Sequence, residues 1–490
     1  MKKILFLVPV FVLVFMGCPS NKAPLTPERP VGPRVAIPNF PDTFAVVTTD
    51  PNDDDISYRF NWGNGIISEW SEFKPSGDTY YTTYTYQIDG NYQVTCQAKD
   101  QKGKTSGWSE YLLVRCGLGR IRWAFTCPDE AFFNSTAAID DNGNIYAGCE
   151  YGHLHSIGAN GAERQGWPFV SSTQDEFISS PAIAPNGTIY ACDRGGNIYA
   201  LTANKNILWS KFVNEEIIAS PAVGRNSEIY INTLDGLYAF SASGGQMWRN
   251  ESIVGVSSVT IDQNNYLYVG TEDDYFYCLD TAGNIRWQYL VDDEIISSPV
   301  AMPNNRVCVG CIDGRIYIFQ PDSGFIIRTS SYGTISSTPA IGTDGSIYLT
   351  TEEGVLAKLF PDGDYEWSFS TDGYNCSSPA IVRYAGVNQD IVYFSTTWGK
   401  KKRSDEDLDS LYMIKEDGTR FGACAIPQGY PSDEGFISSP MITVDGTIII
   451  GGGIDDNDIG GLFALTGKGL LANSTWPLFR RDRKNSGRMQ

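Results

Sequence analysis

Apolar and polar residues alternate along most of this chain with a period of two, in short runs broken by Gly, Asn and Asp turns. Such runs predict short β-strands, and no apolar pattern of period 3.6 runs long enough to predict a helix. From residue 135 onward a motif of small residues organises the alternation. It reads Ser135-Thr136-Ala137-Ala138-Ile139, then Ser179-Ser180-Pro181-Ala182-Ile183, and recurs down to Ser438-Ser439-Pro440-Met441-Ile442. Its third residue falls at 137, 181, 221, 259, 299, 339, 379 and 440, in steps of 44, 40, 38, 40, 40, 40 and 61. This is one unit in eight copies with a late insertion.

Each copy shares one grammar. The small-residue strand meets a turn such as Pro185-Asn186-Gly187, an Ile-Tyr strand follows, and a second turn leads to a third strand such as Ile198-Tyr199-Ala200-Leu201. A Gly-containing turn then precedes an outer strand marked by Trp123, Trp167, Trp209, Trp248, Trp287 or Trp367; two copies lack the Trp. Four strands joined by tight turns predict the blades of an all-β, eight-bladed β-propeller over residues 117–490. Crowding near the axis explains Ser, Ala and Pro on the innermost strand, and proline fits a strand with a partner on one side only. The outer Trp supplies apolar area between blades. Residues 121–125 are expected to complete the eighth blade, with the tail Thr475 to Asp482 as a rival for that role.

Ahead of the repeats, residues 35–116 read as about seven short strands, which predicts a small immunoglobulin-like sandwich. Phe60-Asn61-Trp62-Gly63-Asn64-Gly65, Tyr84-Thr85-Tyr86, Gly90-x-Tyr92-x-Val94 and Asp100-x-x-Gly103 carry a resemblance to PKD domains. Asn64 departs from the acid of that family's signature. The resemblance implies a spacer or adhesion module. Within it, Asp50, Asp53 and Asp55, with Asp54, are weak candidates for Ca²⁺ against a plain solvated acidic turn.

The N-terminus bears on compartment. Met1-Lys2-Lys3 is a positive start, Ile4 to Phe15 is an apolar run of 12, and Gly17-Cys18 follows. Residues 1–18 resemble a bacterial lipoprotein signal peptide, which implies lipidation at Cys18, although Phe15 and Met16 are atypical of that signal. A plain secretory signal is the alternative. Residues 19–34 hold five prolines among polar residues and read as a semi-rigid linker. An anchored envelope protein, lipid-linked to the outer membrane on its periplasmic side or at the cell surface, is the expectation.

The repeats also resemble the pyrroloquinoline-quinone-type propeller family, through Gly283-Asn284-Ile285-Arg286-Trp287 and the tail Trp476-Pro-x-Phe-x-x-Asp482. That resemblance implies either a quinoprotein dehydrogenase or a lipidated, cofactor-free protein-binding propeller like that of the outer-membrane β-barrel assembly machinery. The dehydrogenases carry adjacent cysteines, and no two cysteines are adjacent here. Cys308-Val309-Gly310-Cys311 lacks a following His for haem and reads as strand core. Cys116 and Cys127 flank the domain junction and could pair. His153-Leu154-His155 puts two imidazoles on one strand face but offers no third metal ligand. No catalytic residue, metal or cofactor is assigned.

Charge supplies the remaining signal. The formal net charge of −20 disfavours nucleic acid and contact with an anionic membrane beyond the anchor. Acidic pairs concentrate in two loop classes expected on one face: Asp175-Glu176, Glu215-Glu216, Asp292-Asp293-Glu294 and Asp433-Glu434 before inner strands, and Asp273-Asp274 and Glu352-Glu353 between second and third strands. Asp129-Glu130, Glu272 and Asp455 to Asp458 extend them. Such a rim is able to steer a basic protein or hold cations; a rim that only aids solubility is the alternative. The insertion 398–410 is expected as a hairpin on the same face. The leading expectation is a non-catalytic binding scaffold for envelope proteins; a carbohydrate-binding or adhesion protein is second, and a quinoprotein-like enzyme is third.

Overall fold

The computed structural model describes residues 20–489 except 37–40, 89, 118, 128–131, 323, 372, 385–388, 398–410, 425–437, 455–458, 468–469 and 474–476. Cys18, Asp129, Glu130, Asp433, Glu434, Asp455 to Asp458 and the 398–410 insertion therefore lie outside the described residues. The chain divides into two compact units, Met1–Cys116 and Gly117–Gln490. Among the described residues there is no α-helix, and one 3₁₀ turn at Pro303–Asn305 is the single helical element.

The first unit is a sandwich of six strands. Val35–Ala36, Leu112–Cys116, Gly90–Asp100 and Ile56–Asn61 form one sheet, and Pro41–Val46 pairs with Tyr80–Thr85 in the other. Its core is aromatic: the ring of Trp62 stacks on Phe60 at 4.9 Å and on Tyr84 at 4.2 Å. Gly63, at φ +80°, turns the chain where a Cβ would meet the backbone of Gln93, so no other residue fits. The proline-rich segment expected as a linker is instead packed on this unit. Leu25 N donates to Thr49 O, Val31 pairs with Ala45, and Pro24, Pro27 and Pro30 are buried. That spacing of three is the period of a polyproline helix, which lays one edge along the sheet. Composition alone suggests a spacer because it does not reveal that period as a buried face.

The second unit comprises eight sheets of the expected kind. Blade two, for example, runs Ala182–Ile183, Ile189–Cys192, Asn197–Leu201 and Ile207–Phe212, each strand antiparallel to the next. The eighth blade takes its outer strand, Ile121–Thr126, from the start of the unit, where Ala464 pairs with Trp123. The ring is thus closed by the early segment and not by the tail. Blade seven carries a fifth strand, Leu470–Leu471, inside its innermost one.

Two repeated contacts join the blades. The second residue of the small-residue motif accepts a hydrogen bond from the backbone N–H of its counterpart one blade earlier. This runs from Thr136 N to Ser180 Oγ, then through Ser220, Ser258, Ser298, Thr338 and Ser378 to Ser439, at 2.9 to 3.3 Å. The hydroxyl is required there because each donor is buried and would otherwise be unsatisfied. Farther out, the Trp indole N–H donates to a carbonyl of the following blade: Trp123 to Ala159, Trp209 to Ala242, Trp248 to Thr281, Trp287 to Pro321 and Trp367 to Glu416. At Gly283, φ is +86° and a Cβ would lie 2.7 Å from the Trp248 ring, which explains the glycine ahead of the next Trp. Trp167 departs from the set. It precedes the short strand Phe169–Val170, forms a cis bond with Pro168 and packs edge-on against Tyr146.

Ser220→Ala removes the acceptor for the buried Ser180 N–H and is expected to cost about 1–3 kcal/mol in chemical denaturation. Ser220→Thr, which keeps an acceptor of the kind present at Thr136 and Thr338, is expected to retain most of that stability. Equal losses in the two variants would contradict the role given to the hydroxyl.

Candidate functional site

Where eight blades converge, a propeller has a central channel, and this is the first place to look for a ligand. Here the chain's own tail occupies its wall. Residues 477–487 pass the inner strands of five blades in turn. Ile381 N donates to Pro477 O, Ile139 N to Arg483 O, Ile183 N to Lys484 O, Val223 N to Ser486 O and Ile261 N to Gly487 O, at 2.6 to 2.9 Å. The inner strands of these five blades thereby each find an acceptor for an edge N–H. Asp482 shapes the tail by accepting from Lys484 N, Ser486 N and Ser486 Oγ. Arg480 is fully buried, and its guanidinium donates to Val259 O at 2.7 Å and Pro221 O at 3.2 Å. Burial pushes its pKa down to about 9, with Asp482 opposing, so it remains charged at neutral pH. Asn485 caps the other side through Thr136 O, Ala137 O and Pro181 O.

The loops before inner strands and the turns between second and third strands meet at the blade junctions. Arg194, in the turn between the second and third strands of blade two, takes Glu176 O on its N–H and gives its own carbonyl to Ile217 N. Its side chain bridges Glu176 and Glu216 at 3.3 Å each. The same interlock recurs between Ile312 and Glu294 and between Glu352 and Thr334. Basic residues temper part of the rim: Arg315 and Arg328 both reach Asp292. Glu215, Glu272, Asp273, Glu294 and Glu353 remain exposed, while Asp175, Asp274, Asp293 and Glu352 are half-buried. The carboxyl of Glu272 is held above its ordinary range by burial and by the nearby charge of Glu294. Crowding of like charge on this face is therefore felt at the level of single carboxylates.

Two groups could offer ligands to a metal. In the sandwich, Asp50, Asp54 and Asp100 approach one another. Asp53 and Asp55, named from the sequence, do not join them: Asp53 turns the chain at φ 62°, and Asp55 accepts from Gln101. Asp54 is already neutralised by Lys102 at 2.7 Å, and Asp50 Oδ1 accepts the backbone N–H groups of Asn52 and Asp54. The acidic turn is thus largely satisfied by its own chain.

The second group lies in the propeller. His153 and His155 sit two apart on the strand His153–Ile157, and they are joined by Cys149 and Cys127. Cys127 Sγ is 3.9 Å from Cys149 Sγ and 3.5 Å from His155 Nε2, and Cys149 Sγ is 3.8 Å from that nitrogen. Burial alone would lower the His155 pKa, but hydrogen bonds to Cys127 and Glu163 outweigh it and raise it. The third and fourth ligands missing from the sequence pattern are therefore supplied by the fold. The expected partnership of Cys116 with Cys127 is not formed: Cys116 is buried in the sandwich core, and Cys127 faces Cys149. Cys308 and Cys311 are buried in separate clusters on opposite sides of blade five and are simple core residues.

A family model described as "PKD domain" matches residues 29–111, and one described as "Outer membrane protein assembly factor BamB" matches residues 235–324. Among solved structures, BamB from Moraxella catarrhalis is similar at 11% identity over 71% of this chain and 100% of that one, with a TM-score of 0.55. The computationally designed Ika8 protein is similar at 12% identity over the same shares, with a TM-score of 0.54. A PKD domain of an M14-like peptidase from a Thermoplasmatales archaeon is 33% identical over 20% of this chain and 98% of that one, with a TM-score of 0.19. No curated protein matches the chain.

Arg480→Ala leaves the carbonyls of Val259 and Pro221 without their donor and a void on the axis. It is expected to destabilise the propeller by about 2–4 kcal/mol, read as a lowered denaturant midpoint. An unchanged midpoint would mean that the tail is not an integral part of the ring. The strand order, the blade-to-blade contacts and both family matches together make this chain a PKD domain followed by an eight-bladed propeller of the pyrroloquinoline-quinone-repeat type.

Proposed function

We propose that the protein is a lipid-anchored scaffold of the cell envelope that binds a basic protein partner through the acidic face of its propeller and performs no catalysis. The observation that carries this reading is the meeting of two acidic loops of different class on one face, seen where Ile295 N donates to Thr271 O and the charge of Glu294 is felt at Glu272. A rigid ring that presents carboxylates from several blades at once produces a field able to steer and orient a positively charged surface. The course of the tail supports the same reading, because the natural ligand cavity of the fold is lined by the protein's own residues. So does the likeness in fold to a protein named for outer membrane assembly. The apolar leader ending at Cys18 supports anchoring.

The glycan-binding alternative gains less support. Aromatic faces suited to stacking on sugars occur in the sandwich, but cations already cover them. Arg59 lies 4.6 Å from the Trp70 ring and 5.3 Å from that of Trp108, and Lys99 lies 4.4 Å from Trp70.

Crosslinking in intact envelopes is expected to recover a basic protein whose association with the full chain weakens as salt rises. The triple substitution Glu215→Lys, Asp273→Lys and Glu294→Lys is expected to weaken it by about tenfold or more at low salt while leaving the unfolding midpoint in place. A complex indifferent to both salt and charge reversal, or selective retention on a glycan array, would overturn the proposal.

A further inference from the structure

The chain contains only two histidines in 490 residues, and the fold brings both to one spot with two buried cysteines. We propose that Cys127, Cys149, His153 and His155 hold a structural Zn²⁺ that pins the closing strand of the eighth blade to blade one. Two thiolates and two neutral imidazoles are a recurrent zinc donor set, with Zn–S about 2.3 Å and Zn–N about 2.0 Å. A tetrahedron with those bonds has S···S edges of roughly 3.8 Å and S···N edges of roughly 3.5 Å. The separations of 3.9, 3.5 and 3.8 Å among Cys127, Cys149 and His155 fall on those edges. One ligand atom from each of the four residues lies within 4.8 Å of every other.

The surroundings point the same way. Glu163 Oε1 lies 2.6 Å from His155 Nδ1. By accepting the Nδ1–H, Glu163 leaves the lone pair of Nε2 facing the two sulfurs, as carboxylates commonly do when they orient zinc-bound imidazoles. Cys149 N donates to His153 O at 2.9 Å, so a tight turn sets these two ligands together. Phe125 and Phe133 wall the His155 ring at 5.2 and 5.4 Å and keep the site apolar. Two thiolates exactly offset a divalent cation, and a neutral centre suits a buried site. Binding replaces the two thiol protons by the metal and releases them.

Position supplies the role. Cys127 follows the closing strand Ile121–Thr126, whereas Cys149 lies in the turn after the second strand of blade one and His153 and His155 lie on its third strand. The ion would thus join the eighth blade to the first across the seam where the ring closes.

The full-length protein, purified with zinc present, is expected to carry one zinc per chain by elemental analysis. Replacement by Co²⁺ is expected to give the ligand-field bands of a tetrahedral site and a thiolate charge-transfer band. His153→Gln and Cys149→Ser are expected to lose both the cobalt spectrum and the stoichiometric zinc, whereas Cys192→Ser, a buried cysteine elsewhere, keeps them. Should these variants misfold, the spectrum of the wild-type protein remains decisive. A Cys127–Cys149 disulfide in peptide mapping, copper in place of zinc, or zinc retained in the folded variants would overturn the assignment.

Discussion

The hydrogen bond from the backbone N–H of one inner strand to the Ser or Thr hydroxyl of the next is the constraint on which the propeller depends. Near the axis the blades approach so closely that only small side chains fit, and water cannot reach the backbone donors between them. A hydroxyl solves both problems at once, being small and an acceptor. Seven such links run in sequence from Thr136 to Ser439. Farther from the axis the gap widens, and the same junction is made by a large indole whose N–H reaches a carbonyl of the neighbouring blade. The change from Ser to Trp along each blade follows the taper of the ring.

Closing a ring leaves two defects: a seam where the last blade meets the first, and an inner edge of unpaired N–H groups around the axis. The chain uses its two ends to cover them. Ile121–Thr126 fills the outer place in blade eight, and the tail from Pro477 onward accepts from the inner strands of blades seven and one to four. The buried Arg480 and Asn485 hold that tail by donating to carbonyls at the inner strands of blades one to four. A ring sealed in this way has its channel lined by the chain's own tail. Its capacity for recognition then lies in its loops, where the acidic pairs gather on one face and Arg194 ties neighbouring loops together.

The seam also explains why the four metal-capable side chains were only half legible. His153 and His155, two apart on one strand, can be read directly as a pair, whereas Cys149 joins them only through the turn in which its N–H donates to His153 O. Cys127 lies 22 residues before Cys149, beyond a strand belonging to a different blade. Its arrival beside the imidazoles is a consequence of ring closure. The junction at Cys116 misleads for the same reason: proximity along the chain between Cys116 and Cys127 crosses a domain boundary, and each sulfur turns into the core of its own unit. In the acidic turn of the sandwich, Asp100 joins Asp50 and Asp54 from a distant strand, while nearer Asp55 accepts from Gln101 instead.

By itself the sequence determined the repeat, the number of blades, the Gly-Trp docking and the loops that carry charge, because each is written in local spacing and turn chemistry. Only the tertiary structure decided where the tail runs, that Pro24, Pro27 and Pro30 lie against the sandwich, that Trp167 stands apart from the other docking tryptophans, and which cysteine meets the histidines. Those outcomes depend on surfaces formed by segments far apart in the chain. A pattern of period two or three shows which residues can be buried but not against what.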